Sequence, residues 1–161
     1  MSTQTNREQT DKEIITNLNK VISRELAAIN QYFLHARMIK HLGFMKLADY
    51  EYKESIQQMR YSDRLIERVL FLGGVPNLQD IGKLNIGDSV DSILQCDLKL
   101  ENILVKDIKS AISICESKHD SVSSDMLYYI LENSEEHLGF IRTQLNLVDT
   151  IGLSQYLQTQ V

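Results

Sequence analysis

Two glutamates, a histidine, a glutamine and a tyrosine stand in this chain at spacings where a buried helical face would carry apolar residues. Glu25 follows Ile22 by three residues and precedes Tyr32 by seven, so on a 3.6-residue helix it shares their inward face. Glu101 does the same between Leu98 and Val105, and His137 between Ile130 and Ile141. Gln58 and Tyr61 precede Leu65 on a face of the same kind. A buried carboxylate must be paired or neutralised, because removing it from water costs several kcal/mol. Carboxylates and an imidazole brought together from separate helices form a donor set for a transition metal such as iron. Any one of these residues alone reads as a hydrogen-bonded core group; their convergence is what points to metal chemistry.

Long helices are needed to position them. Leu18, Ile22, Ile29, Tyr32, Ala36 and Ile39 fall on one stripe of a helix predicted from about Asp11 to His41, with Gly43 as its breaker and residues 1–10 as a polar tail. A second helix turns Leu47, Leu65, Val69 and Leu72 inward and stops at Gly73-Gly74. The glycine-punctuated stretch GGVPNLQDIGKLNIGD then has the length to run along a bundle and return the chain at its other end. Asp88 or Ser89 caps a third helix through Leu94, Leu98, Val105, Ile108 and Ile112, and ESKHDS supplies a tight reversal. A fourth helix carries Met126, Ile130, Ile141 and Val148, and LSQYLQTQ forms a short amphipathic piece after Gly152. Residues 11–161 thus read as one all-α domain: a ferritin-like four-helix bundle with one long crossover between helices 2 and 3 and a short fifth helix.

Composition agrees with this and excludes other classes. One proline and seven glycines in 161 residues favour uninterrupted helices over a turn-rich sheet protein. A formal charge of -5 with no basic tract argues against nucleic-acid binding. No apolar leader and no run long enough to span a bilayer are visible, so no membrane partner and a cytoplasmic location are expected. Cys96 and Cys115 lack CxxC spacing and suit buried thiols in a reducing compartment.

Three stretches, ELAAINQYFLHARM at 25–38, DRLIERVLFLGGVPNLQDIGKLNIGD at 63–88 and GLSQYLQTQ at 152–160, resemble bacterioferritin, colinearly from about Ile15 onward. The resemblance implies a shell of twenty-four subunits around an iron-mineral core, haem b between paired subunits, and a ferroxidase centre within each subunit. Of that centre the terminal glutamates match Glu25 and Glu101, and one histidine matches His137. The bridging glutamates match Gln58 and Ser134, and the other histidine matches Tyr61. Two ferrous ions bring about four positive charges, and only two of the family's four glutamates remain to balance them. Glu54, one turn before Gln58, and Glu135, beside Ser134, are the nearest replacements, although Glu135 would have to swing about 100° around its helix. The simpler expectation is a substituted polar core in which Tyr61 bonds Glu25 and His137 pairs with Glu101, leaving a di-iron centre lost or weak. The family's inner-surface iron ligands match Lys53 and Gln57, and a lysine repels ferrous ions.

Tyr52, Ile56, Met59 and Ile66 form a second apolar stripe on helix 2, and Leu26, Ile29 and Phe33 point partly outward from helix 1. A helix with two apolar faces buries one of them against something else, here a two-fold copy. By the resemblance this patch, with Asn30 and Arg60, is the haem pocket, and Met59 is the axial ligand to haem iron. The retained haem ligand and the altered iron-oxidation ligands together suggest a haem-binding storage subunit. It would co-assemble with a ferroxidase-competent ferritin or bacterioferritin subunit and take electrons from a ferredoxin or reductase. A conventional homopolymeric bacterioferritin with a rearranged di-iron site is the competing expectation. A non-catalytic helical interaction bundle is the third.

Overall fold

The computed structural model describes the backbone of residues 2–161 and side chains from Arg7 onward. Five helices account for it: α1 (Ser2–His41), α2 (Met45–Phe71), α3 (Val90–Ser117), α4 (Ser121–Ile151) and the short α5 (Leu153–Gln158). Among the described residues there is no strand, and no helix is long and apolar enough to cross a membrane. α1 packs on α2 and α3, and α3 packs on α4, while α2 and α4 touch each other only sparsely.

The first helix begins at Ser2 rather than near Asp11, so the stretch read as a tail is helical. Its residues before Asp11 include neither glycine nor proline, and nothing in them interrupts a helix already nucleated downstream. The other boundaries follow their predicted signals. Gly43 and Gly73 adopt positive φ after α1 and α2, where residues with a side chain are strained. Ser89 caps α3 in a reciprocal box with Ser92, and Asp120 caps α4 through the Ser123 amide. The reversal before α4 puts His119 at φ 61.

Two apolar clusters fill the bundle. One joins Leu18, Ile22, Leu65, Val69, Leu104, Ile108, Leu127 and Ile130. The other, at the far end, joins Ile39, Leu47, Ile93, Leu94, Val148 and Tyr156 of α5. Each fully buried Leu or Ile stabilises the fold by about 1.5–3 kcal/mol before entropy is counted. Within the predicted stripes Ile29, Leu72, Leu98 and Met126 are only half-buried, and Leu127 takes the inward position expected of Met126. The polar residues described next lie between the two clusters.

The crossover is tied to α1 along its length. Asn19 bonds the Val75 carbonyl and the Asn77 amide, Ser23 donates to the Asp80 carbonyl, Gln31 accepts from the Asn85 amide and His35 accepts from the Gly87 amide. Rising numbers on α1 meet rising numbers on the crossover, so the two run in the same direction. α3 therefore starts at the end of the bundle opposite the end of α2.

Candidate metal centre

Glu25 and Tyr32 come from α1, Glu54, Gln58 and Tyr61 from α2, Glu101 from α3, and Ser134 and His137 from α4. All but Glu54 are buried, and Glu54 keeps 21% of its side chain exposed. His137 Nδ1 lies 3.1 Å from Glu101 Oε2 and 3.8 Å from Glu54 Oε2. The Tyr32 hydroxyl donates to the same Glu101 oxygen, and its ring stands edge-on to His137 at 5.1 Å. The expected pairing of His137 with Glu101 is present. The expected Tyr61–Glu25 bond is not: both Glu25 oxygens and the Tyr61 hydroxyl lack a hydrogen-bond partner among the described residues.

Burial governs the protonation of this layer. It pushes the Glu25 carboxyl well above its ordinary range, and the nearby Glu101 adds to the shift, so Glu25 favours its neutral form. Burial raises Glu54 as well, with His137 partly opposing. For His137 burial acts downward, but Glu101 and then Glu54 more than offset it and favour the imidazolium. The Tyr61 phenol is pushed far up by burial and stays protonated. Gln58 Oε1, Ser134 Oγ, Glu101 Oε1 and His137 Nε2 also lack hydrogen-bond partners among the described residues.

These donors do not fit two ferrous ions. An amide and a hydroxyl stand where bridging carboxylates are needed, and a phenol replaces an imidazole. Among the described residues no three His, Cys, Asp or Glu side chains form a ready-made metal cage. Glu135 gives no relief, because it is exposed and pairs with Lys109 at 2.9 Å.

Sequence reasoning missed a second polar layer beside the first. His35 Nδ1 and Gln31 Nε2 each donate to Asp97 Oδ1 at 2.8 Å. His35 Nε2 accepts from the Gly87 amide at 3.1 Å, which fixes the tautomer with its proton on Nδ1. Glu51 is fully buried within reach of Asp97, and burial followed by Asp97 drives its carboxyl well up. The periodicity held the signal: Glu51 precedes Gln58 by seven residues, and Asp97 precedes Glu101 by four.

The second apolar stripe lies on the outside of the α1–α2 pair. Met59 is 52% exposed, with Phe33, Tyr52, Asn30 and Arg60 also exposed and Leu26, Ile29 and Ile56 half-buried. Phe33 and Tyr52 rings approach to 6.3 Å, and the Arg37 guanidinium sits over both, at 5.4 and 5.1 Å. A thioether surrounded by aromatic and aliphatic side chains at a surface suits a flat apolar ligand shared with a second surface.

A family model for the ferritin-like domain matches residues 15–151. Bacterioferritin of Streptomyces coelicolor is 39% identical over 153 residues, covering 95% of this chain and 92% of that protein. Bacterioferritin BfrA of Mycobacterium tuberculosis is 38% identical over 148 residues, covering 92% and 93%. The chain belongs to the bacterioferritin family. The buried layer around His137 and the exposed patch around Met59 lie on different faces of α2. Cys115, the more buried thiol, is pushed up to about 11 by burial and stays inert, as expected of a core cysteine.

Proposed function

We propose that the chain is a cytoplasmic iron-storage shell subunit that binds haem between paired subunits and relies on a second, ferroxidase-competent subunit for iron oxidation. The observation that carries this reading is the contrast between the two sites. The Met59 patch keeps a soft ligand in an exposed apolar setting, whereas the buried centre has neutral groups at both bridging positions. In a two-fold pairing Met59 meets its own copy, which gives two thioethers for one haem iron. Leu26, Ile29, Phe33, Tyr52 and Ile56 would hold the macrocycle away from water, with Asn30 and Arg60 at the rim. Bound haem would supply an electron relay between an external ferredoxin or reductase and ferric mineral, which is the cargo of the shell.

The chain's own part is to pre-arrange that patch. Met59 and Tyr52 are carried on one rigid helix, and Tyr52 is held by Arg37 and Phe33 of its neighbour. Met59→Leu and Met59→His shells, purified from a haem-replete host, check the assignment. Leucine should abolish haem incorporation, and histidine should retain haem with a changed spectrum. Unchanged haem content and spectrum in both would refute it.

A further inference from the structure

Five side chains of α2 stand in one line on its outer face. At about 100° per residue, Ala48, Tyr52, Ile66 and Leu70 all lie within about 20° of Met59 around the helix axis. Their sizes differ along that line. Leu70 projects: it is 58% exposed and stands outside both apolar clusters. Ala48 marks a depression: it is buried, and with Ala36 of α1 it floors a surface pocket of about 250 Å³ rimmed by Arg37, Lys40, Asp49 and Tyr52. The Arg37 guanidinium over the Tyr52 ring, at 5.1 Å, steadies one wall of the opening. Leu70 cannot fill this pocket within its own chain, because about 33 Å of helix separates it from Ala48.

A second copy can fill it. A two-fold axis that brings Met59 opposite its own copy runs the two α2 helices antiparallel, so a residue any number of places before Met59 meets the one the same number after it. Ala48 is eleven places before and Leu70 eleven after; Tyr52 is seven before and Ile66 seven after. The projection at one end of each helix is thereby set over the depression at the other end of its partner, twice in every pair. Asp63, the charged residue nearest the line, falls opposite Ser55 and meets no like charge. The face also has the extent that a stable pair needs. It is about 33 Å long from Ala48 to Leu70 and about 20 Å wide across α1 and α2, on the order of 700 Å² per copy beside the ~800 Å² of a standard interface.

We infer that Leu70 of one copy inserts into the pocket floored by Ala36 and Ala48 of the other, a knob-into-hole contact made at both ends of the Met59 seam. This contact fixes the register of the pair. Sliding the helices by one turn in either direction would set Leu70 against Tyr52 or Phe44, both bulky, in place of an alanine. The inference rests on the proposed pairing at Met59 and adds what holds two like copies in line on either side of it.

Cysteine cross-linking of the assembled protein tests the contact in a Cys96→Ser background, which leaves the buried Cys115 as the native thiol. The Ala48→Cys, Leu70→Cys double variant should oxidise to covalent dimers. Each single variant should stay uncrosslinked, since its like copies lie about 33 Å apart across the axis, far beyond disulfide reach. Helicity and particle size are compared with the parent. Asp49→Cys at the exposed rim, joined to Leu70→Cys by a short bifunctional thiol reagent, carries the same test if Ala48→Cys disturbs packing. Tyr52→Cys with Ile66→Cys marks the same axis nearer its centre. A link there without one between positions 48 or 49 and 70 would overturn the knob-into-hole contact, as would no link from any pair. Haem absorbance of the parent is read alongside. Haem uptake without these links would leave the proposed function standing and overturn this contact, whereas the expected links in a protein that takes up no haem would do the reverse.

Discussion

Glu51 is the buried residue whose behaviour is most open to measurement. It is fully buried, its oxygens have no donor among the described residues, and the nearest strong acceptor is Asp97, whose Oδ2 is also unpartnered. Two buried carboxyl groups that act on each other are tolerable when they share a proton, so Glu51, raised by burial and by Asp97, is expected to keep one and offer it to the free oxygen of Asp97, whose other oxygen is occupied by His35 and Gln31. The linkage follows in sign. The native state holds this proton above the pH at which the unfolded chain releases it, so the stabilisation is full below the ordinary value of 4.5 and is lost as pH rises toward the elevated native value. Glu25 and His137, both shifted upward, slope the same way. Melting of the assembled protein is therefore expected to be higher at mildly acidic pH than at pH about 8. Glu51→Gln, which keeps a donor for Asp97 and cannot ionise, should gain about 1–2 kcal/mol at the higher pH and flatten the slope. A variant less stable at that pH, with its slope unchanged, would disprove the shared proton.

At the scale of elements, the start of α3 is set by the crossover as much as by its own cap. Gly87 donates its amide to His35, and a Cβ added there would stand 2.4 Å from the Ile93 backbone nitrogen. Backbone cannot give way as a side chain tip does, so Gly87→Ala should destabilise the fold by about 3 kcal/mol or more and free His35 from its tautomer. Thermal melting and the His35 imidazole NMR signals would register both effects; a variant as stable as the parent would show that the crossover has slack. This joint also shows what the sequence made legible. The four long helices were readable because each repeats an apolar face and ends in a glycine or a capping side chain, as at Gly43, Gly73 and Ser89. The inward placement of Glu25, Glu101 and His137 followed from the same periodicity. Which polar groups bond each other did not follow, because periodicity gives the face of a side chain and not its reach. Tyr32 rather than Tyr61 supplies the phenol bonded to a glutamate of the buried layer, and His35 spends both nitrogens on groups from the crossover and α3. The Ser2 start of α1 was hidden by polar residues that permit a helix without announcing one.

For the whole molecule, the two sites on α2 divide along the boundary between what one subunit holds alone and what it needs a neighbour to complete. The layer around His137 is enclosed by helices of the same chain, so its substitutions act in every subunit regardless of what surrounds it. The Met59 patch is an open surface, and under the proposed reading it needs a paired copy to complete it. A shell built from this chain together with a ferroxidase-competent relative should therefore separate two properties by composition. Ferrous oxidation, followed by stopped-flow absorbance, is expected to fall in proportion as this chain replaces the partner, reaching close to the rate without protein when the partner is gone. Haem content should instead rise with the number of like pairs that present two Met59 side chains. Because a random mixture forms like pairs as the square of this chain's fraction, the rise should curve upward if two copies are needed and bend downward, as one minus the square of the partner's fraction, if one thioether suffices. Native mass spectrometry of the shells supplies the composition axis, and haem absorbance supplies the other. A pure shell of this chain that oxidises ferrous iron in a fast phase saturating at two irons per subunit would defeat the division of labour, whatever its haem content.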